Sequence, residues 1–165
     1  MKKSFYNEKK APEREDGMRY QPLIPRRPLL VREIYTVHYF EYTGTCSFPG
    51  EQHDFWELLY VDKGEIQVRA GERTCRLRRG RLIFHAPGEF HAFSAVGTAP
   101  DLVVVSFRCD SPEMACFRGL TAEAGEEERA LLARIVAESG QAFSTPLNDP
   151  YAAVLERRTG APFGG

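Results

Sequence analysis

Residues 51–64 read Glu-Gln-His-Asp-Phe-Trp-Glu-Leu-Leu-Tyr-Val-Asp-Lys-Gly, placing Glu51, His53 and Glu57 within seven residues. A further histidine, His91, follows the turn-like run Ala86-Pro87-Gly88-Glu89. Two imidazoles and two carboxylates suit a divalent first-row metal such as iron, manganese, nickel or zinc. Such an ion would allow Lewis-acid or oxygen chemistry. His53, Glu57 and His91 can instead hydrogen-bond a polar small molecule against aromatic walls, for which Trp56, Tyr60, Phe84 and Phe93 are candidates. A third reading has the histidine and glutamate satisfied against backbone groups with no chemistry at all.

Position separates Glu57 from its neighbours. In Phe-Trp-Glu-Leu-Leu-Tyr-Val, strand alternation puts Phe55, Glu57, Leu59 and Val61 on one face. A carboxylate on an apolar inward face costs several kcal/mol or titrates upward unless a cation, donor or ligand hydroxyl meets it. Reach sets a second condition. His53 and Glu57 are four residues apart, ~13 Å along a straight strand. One ion touches both only if the chain bends between them, at Asp54-Phe55-Trp56.

The elements that must position these residues read as β. From Leu29 to Cys109, apolar and β-branched runs recur between Gly and Pro turns. The runs 29–42, 55–61, 65–70, 73–79, 81–85, 90–96 and 101–109 are the expected strands, a pattern of antiparallel sandwiches and barrels. Residues 125–143 then read as an amphipathic helix, with Glu126, Glu127 and Glu128 in its first turn and Leu131, Leu132, Ile135, Val136 and Phe143 as its stripe. That stripe serves core packing or a dimer surface. Pro146 follows the helix end. Residues 1–17 read as a charged tail, and 21–28, with three prolines, as extended chain able to act as an arm.

His53-x3-Glu57-x6-Gly64 resembles the second half of the first cupin motif, with Glu51 where that motif carries its first histidine. Gly80-x5-Ala86-Pro87-Gly88-x2-His91 resembles the second cupin motif, with Ala86 replacing a proline. The stretches HDFWELLYVDKGE, GRLIFHAPGEFHAF, LVVVSFRCDSPEMACF and EEERALLARIVAESGQAF are similar to the effector-binding domain of AraC-type transcription regulators. The resemblance implies a mainly β fold: a cupin double-stranded β-helix, or jelly-roll barrel, with a C-terminal α-helix packed outside. It implies a charged tail at 1–17, a barrel over 18–110 and a helical segment over 111–165, ending before the family's DNA-binding region. Function would be non-catalytic sensing of a small polar effector, a sugar by the family's habit. Binding at His53, Glu57 or His91 would shift residues 18–30 or the helix, within a homodimer. The alternative is a small metal-dependent cupin enzyme, an isomerase or dioxygenase, using Glu51, His53, Glu57 and His91.

Bulk properties narrow the partners. The chain of 165 residues suits one domain, and its net charge of −1 gives the whole molecule no pull toward DNA or an anionic membrane. No apolar run approaches the ~20 residues of a membrane span, and the first residues lack the apolar core of a secretory signal. A cytoplasmic location is the expectation. Cys46, Cys75, Cys109 and Cys116 show no metal-binding spacing and read as reduced core thiols. Arg69, Arg73, Arg76, Arg78, Arg79 and Arg81 read as a solvated outer face. His85, at the end of a strand, reads as structural, and the orientation of His38 is left open.

Overall fold

The computed structural model describes residues 21–23 and 29–161. The expectations for the tail at 1–17 and for most of the proline-rich arm lie outside these residues. Nine strands, one 3-10 turn and one helix follow in order: β1 (Val31–Glu41), β2 (Ser47–Glu51), β3 (Trp56–Lys63), β4 (Glu65–Ala70), β5 (Arg73–Arg78), β6 (Arg81–His85), β7 (His91–Ala95), β8 (Asp101–Cys109), the 3-10 turn (Pro112–Phe117), β9 (Thr121–Glu123) and α1 (Glu126–Ala142). They build two antiparallel sheets, ordered β1-β8-β3-β6-β9 and β2-β7-β4-β5. This is the cupin arrangement, with the barrel left open.

Alternation assigns the faces. Leu59, Val61, Ile66, Val68, Leu77, Ile83, Leu102 and Val104 form the core between the sheets. The opposite face of the five-stranded sheet carries Val37, Tyr60, Leu82, Val103 and Val105, covered by Leu132 of α1. β4 shows the rule at its simplest: Ile66, Val68 and Ala70 are buried while Gln67 and Arg69 are exposed. Arg69, Arg73, Arg76 and Arg78 are exposed, and Arg76 pairs with Glu65 at 3.3 Å.

Two elements went unread in the sequence. β2 contains Pro49 and Gly50, residue types that favour turns over strands. As the edge of its sheet it tolerates a proline without losing a ladder bond. Gly50 has φ 113°, and a Cβ there would collide with the Phe90 ring and lie 2.8 Å from the His91 carbonyl oxygen. β9, three residues long, pairs with β6. It ties the segment after residue 110 into the sheet, so that segment is continuous with the barrel.

The helix stripe divides. Leu132 is buried and Val136 half-buried against the sheet, whereas Leu131 and Ile135 are 57% and 38% exposed. Together with Leu29, Val31 and Ile34 they border an open apolar groove of about 790 Å³. All four cysteines are free; Cys116 is exposed rather than packed in the core. Among the described residues, no helix is long and apolar enough to cross a membrane.

Candidate functional site

The bend that His53 and Glu57 require is present. Residues 52–55 leave the strand ladder before β3 begins at Trp56. The bend is fastened to the turn at 86–89: the Gly88 N–H donates to the His53 carbonyl at 2.8 Å, and the Gln52 amide donates to the Gly88 carbonyl at 2.9 Å. That turn is closed by Glu89 N–H to the Ala86 carbonyl at 3.0 Å, with Pro87 and Gly88 at its corners. Gly88 has φ 79°, the left-handed conformation the third position of a type II turn requires. The turn delivers His91 to the start of β7, opposite Glu51 of β2.

One donor atom from each of Glu51, His53, Glu57 and His91 falls within 4.8 Å of the others. His91 Nε2 lies 3.3 Å from Glu57 Oε1 and 3.6 Å from Glu51 Oε1; His53 Nε2 lies 3.6 Å from Glu57 Oε2. The other ring nitrogens face backbone. Nδ1 of His53 is 3.0 Å from the Phe55 carbonyl oxygen, and Nδ1 of His91 is 3.1 Å from that of Glu89. A carbonyl only accepts, so each Nδ1 carries the proton and each Nε2 turns toward the carboxylates. Both Nε2 atoms are buried with no hydrogen-bond partner, as is Nε2 of His85.

Glu57 is 5% exposed. It accepts a hydrogen bond from Ser106 Oγ at 3.0 Å, and Ser106 in turn accepts one from Thr36 at 2.8 Å. Burial on its own would raise the Glu57 carboxyl. The His53 and His91 imidazoles facing it and the charges of His91 and His85 outweigh it and hold the group well below the usual carboxylate range. Burial likewise pulls His91 down, but the Glu51 and Glu57 carboxylates overcome it and push His91 up to about 10. His85 goes the other way: burial and then the charge of His91 lower it.

Glu51, Glu57, His85 and His91 line a cavity of about 380 Å³ between the sheets, whereas His53, expected from sequence to contact a ligand, sits behind Phe55 and is not part of its lining. Of the aromatic residues proposed from sequence as its walls, Phe93 lines it. Trp56 and Tyr60 do not; they point to the opposite face of β3, Trp56 against Ala86, Cys109 and Met114, and Tyr60 beneath α1. Phe84, beside Leu58, faces the outer groove. The reason is alternation: on a strand whose Glu57 points inward, residues 56 and 60 point outward.

Further wall residues come from other strands: Phe40 and Tyr42, Phe48, and Phe55, which stacks on His53 at 3.8 Å and on Tyr35 at 4.1 Å. Phe55 was within reach of sequence, since it shares the Glu57 face. Ser106 carried a weaker signal, a lone hydroxyl in Leu-Val-Val-Val-Ser-Phe. His38 and His85 also line the cavity.

The mouth is bordered by the chain after α1. An antiparallel bridge joins Phe143 to Arg157, and Ser144 N–H donates to the Glu156 carbonyl at 2.8 Å. The loop between them returns to β1, where the Leu147 carbonyl accepts the Tyr39 N–H at 2.9 Å and lies 3.2 Å from His38 Nδ1. Its residues 150–153 line the cavity.

The family model for the AraC-like ligand-binding domain matches residues 34–149, which include the quartet and α1. The chain belongs to this family. Solved structures similar to the AraC-like domain include the cupin domain of Cnp3 from Schizosaccharomyces pombe, at 14% identity over 53% of this chain and 63% of that one, with a TM-score of 0.43. A cupin superfamily protein from Desulfitobacterium hafniense matches at 14% identity over 55% of this chain and 94% of that one, TM-score 0.43. Unsaturated fatty acid-bound ToxT from Vibrio cholerae matches at 12% identity over 66% of this chain and 46% of that one, TM-score 0.42. The chain thus spans about two thirds of the Cnp3 chain and about half of ToxT. No curated protein matches the sequence.

The donor set fits a divalent ion. Unpartnered, buried Nε2 atoms on rings whose Nδ1 atoms are fixed by carbonyls are the arrangement a metal-ligating histidine requires. Ligands about 2.0–2.2 Å from one ion lie roughly 3–3.5 Å apart, and the closest pairs here are 3.3 and 3.6 Å. Glu51, His53, Glu57 and His91 would hold it. When bound, the ion supplies a Lewis-acidic anchor for an oxygen donor.

Proposed function

We propose that this AraC-like domain senses a small molecule that enters the cavity between the sheets and binds beside a divalent ion held by Glu51, His53, Glu57 and His91. Signalling is by a change of conformation, without turnover. The observation that carries this reading is that the polar end of the cavity and the loop at 144–156 belong to one enclosure, whose residues 150–153 come from the chain leaving α1. An occupant of the cavity therefore touches both the quartet and the segment joined to the helix. Such a ligand shifts the loop only by binding its closed arrangement better than its open one.

Hydrogen exchange with and without ligand tests this. Protection should rise across 144–156 and at the end of α1. Unchanged exchange at saturation would refute the sensing role. A second copy, docking through the exposed Leu131 and Ile135, completes the proposal.

A second reading is a small metal-dependent cupin enzyme, an isomerase or dioxygenase. The clustering of four donor groups at a cavity favours it. Turnover of a bound ligand by the metal-loaded protein would establish it; binding with quantitative recovery of unchanged ligand would exclude it.

A further inference from the structure

The chemical class of the occupant follows from the direction in which the cavity's hydrogen bonds run; this rests on the sensing reading above. The inner face of the five-stranded sheet carries a polar row, Thr36, Ser106 and Glu57, on the adjacent strands β1, β8 and β3. The Glu57 carboxylate only accepts, so the Ser106 hydroxyl gives it its one proton, at 3.0 Å. Thr36 must then give its own proton to Ser106, at 2.8 Å. Thr36 Oγ1 is left with lone pairs alone.

The histidines outside the quartet are acceptors as well. His38, two residues along β1, holds Nδ1 3.2 Å from the Leu147 carbonyl oxygen, so Nδ1 carries the proton. Burial keeps His38 below the usual histidine range, and its neutral ring has a lone pair at Nε2. His85 continues the row on β6, opposite Glu57. Its Nδ1 is 3.2 Å from the Glu89 carboxylate, so the neutral ring again accepts at Nε2, an atom buried without a partner. The Tyr35 hydroxyl is taken up, donating to Glu33 and accepting from Arg108. Among the described residues, the hydroxyls of Tyr42 and, at the exposed rim, Tyr151 are the remaining lining groups with a proton to give.

Charge points the same way. Glu51 and Glu57 border the cavity, and no lysine or arginine is among the described residues that line it. Aromatic faces are close by: Phe40 contacts Tyr42 at 5.7 Å, Tyr42 meets Phe93 at 6.3 Å, and Phe48 stacks on Phe93 at 5.8 Å. Such faces attract an organic cation. A ligand carboxylate would meet two carboxylates and a set of acceptors. An ion in the quartet would cancel the charge of the glutamates, but Thr36 and His38 lie outside the quartet. The demand for a donating ligand therefore holds with or without the ion.

We propose that the ligand is an arylalkylamine: its ammonium donates to Thr36 Oγ1 and His38 Nε2 beside the loop at 144–156, and its ring lies against the Phe40, Tyr42, Phe48 and Phe93 wall. Hydrogen bonds to these acceptors offset the water an ammonium loses on burial. The His38 ring then joins the ligand, at Nε2, to the Leu147 carbonyl of the loop, at Nδ1. At about 30 Å³ for each water-sized group, the 380 Å³ cavity takes on the order of a dozen non-hydrogen atoms. 2-Naphthylmethylamine is of that size.

The test is calorimetric titration of chelator-treated, metal-free protein with 2-naphthylmethylamine, 2-naphthalenemethanol, 2-naphthoate and arabinose, with hydrogen exchange on each complex. The amine should bind at least about tenfold more tightly than the alcohol, the acid or arabinose. Thr36→Val and His38→Phe should each weaken the amine about tenfold and the acid little, with circular dichroism measured on the same samples. Tighter binding of the acid or of arabinose overturns the ligand class, and the sensing reading survives if that ligand protects residues 144–156. Equal affinity for the amine and the alcohol overturns the role of the charge. Folded variants that both keep full affinity for the amine overturn the two acceptors. Binding of the amine without any change in exchange leaves the class standing and removes the sensing role.

Discussion

Replacing Glu57 by leucine and His91 by leucine, singly and together, measures whether the quartet acts as a unit. With metal removed by chelation, each single change strands its partner in a buried site: Ser106, His53 and His91 lose the Glu57 carboxylate, or Glu57 loses the nearest of its imidazoles. Breaking a buried pair from one side costs about 3–5 kcal/mol. A well-packed leucine beside Leu59 and Val104 returns about 1.5–3 kcal/mol. Each single variant should therefore lose roughly 1–3 kcal/mol. The double variant removes both charges and should recover to near wild type, a coupling of about 2 kcal/mol or more. Urea denaturation of the four proteins near neutral pH reads this directly. Additivity within about 0.5 kcal/mol would refute the coupling. A Glu57→Leu protein more stable than wild type would show instead that the acid is an unpaired liability.

Further outcomes follow from other parts of the molecule. His38 is lowered by burial, with the Leu147 carbonyl, Glu57, Asp149 and Glu51 opposing. Its folded pKa lies below the unfolded 6.5, so the stabilisation is present at neutral pH and lost as pH falls below about 6.5 toward the folded value. His38→Phe, stacked on Phe40, should flatten the fall in melting temperature between about pH 7 and 5; an unchanged slope contradicts this. Tyr151→Gly at the exposed loop should leave unfolding free energy within about 0.5 kcal/mol of wild type while weakening ligand binding, separable by comparing denaturation with titration. Leu131→Glu/Ile135→Glu should shift the protein to smaller mass in sedimentation velocity if a second copy covers the groove; an unchanged concentration-dependent mass rules that surface out.

Much of the fold was legible because its strands obey a two-residue period and its turns are marked by Gly and Pro. Gly64, Gly71 and Gly80 each take positive φ where a hairpin was expected. β2 escaped because Pro49 and Gly50 are turn signals in any strand but an edge one. The four donor residues could be named from their types and their resemblance to the cupin motifs, but spacing alone did not show their convergence: it depends on the 52–55 bend being fastened to the 86–89 turn, a contact between segments distant in sequence. The walls were least legible. Trp56 and Tyr60 drew notice by size, yet alternation from Glu57 turns them outward. The inward aromatics Phe40, Tyr42 and Phe48 come from β1, β2 and the chain between them, which reach the site by sheet pairing that local sequence does not encode.

Metal content is the most direct test of the central claim. The protein, purified from medium supplemented with iron, manganese, nickel and zinc, should carry one divalent ion per chain by mass spectrometry. His53→Ala/His91→Ala should lose that ion while keeping its far-ultraviolet circular dichroism. Wild-type protein that is metal-free and shows no thermal shift on titration with any of the four ions would contradict the account.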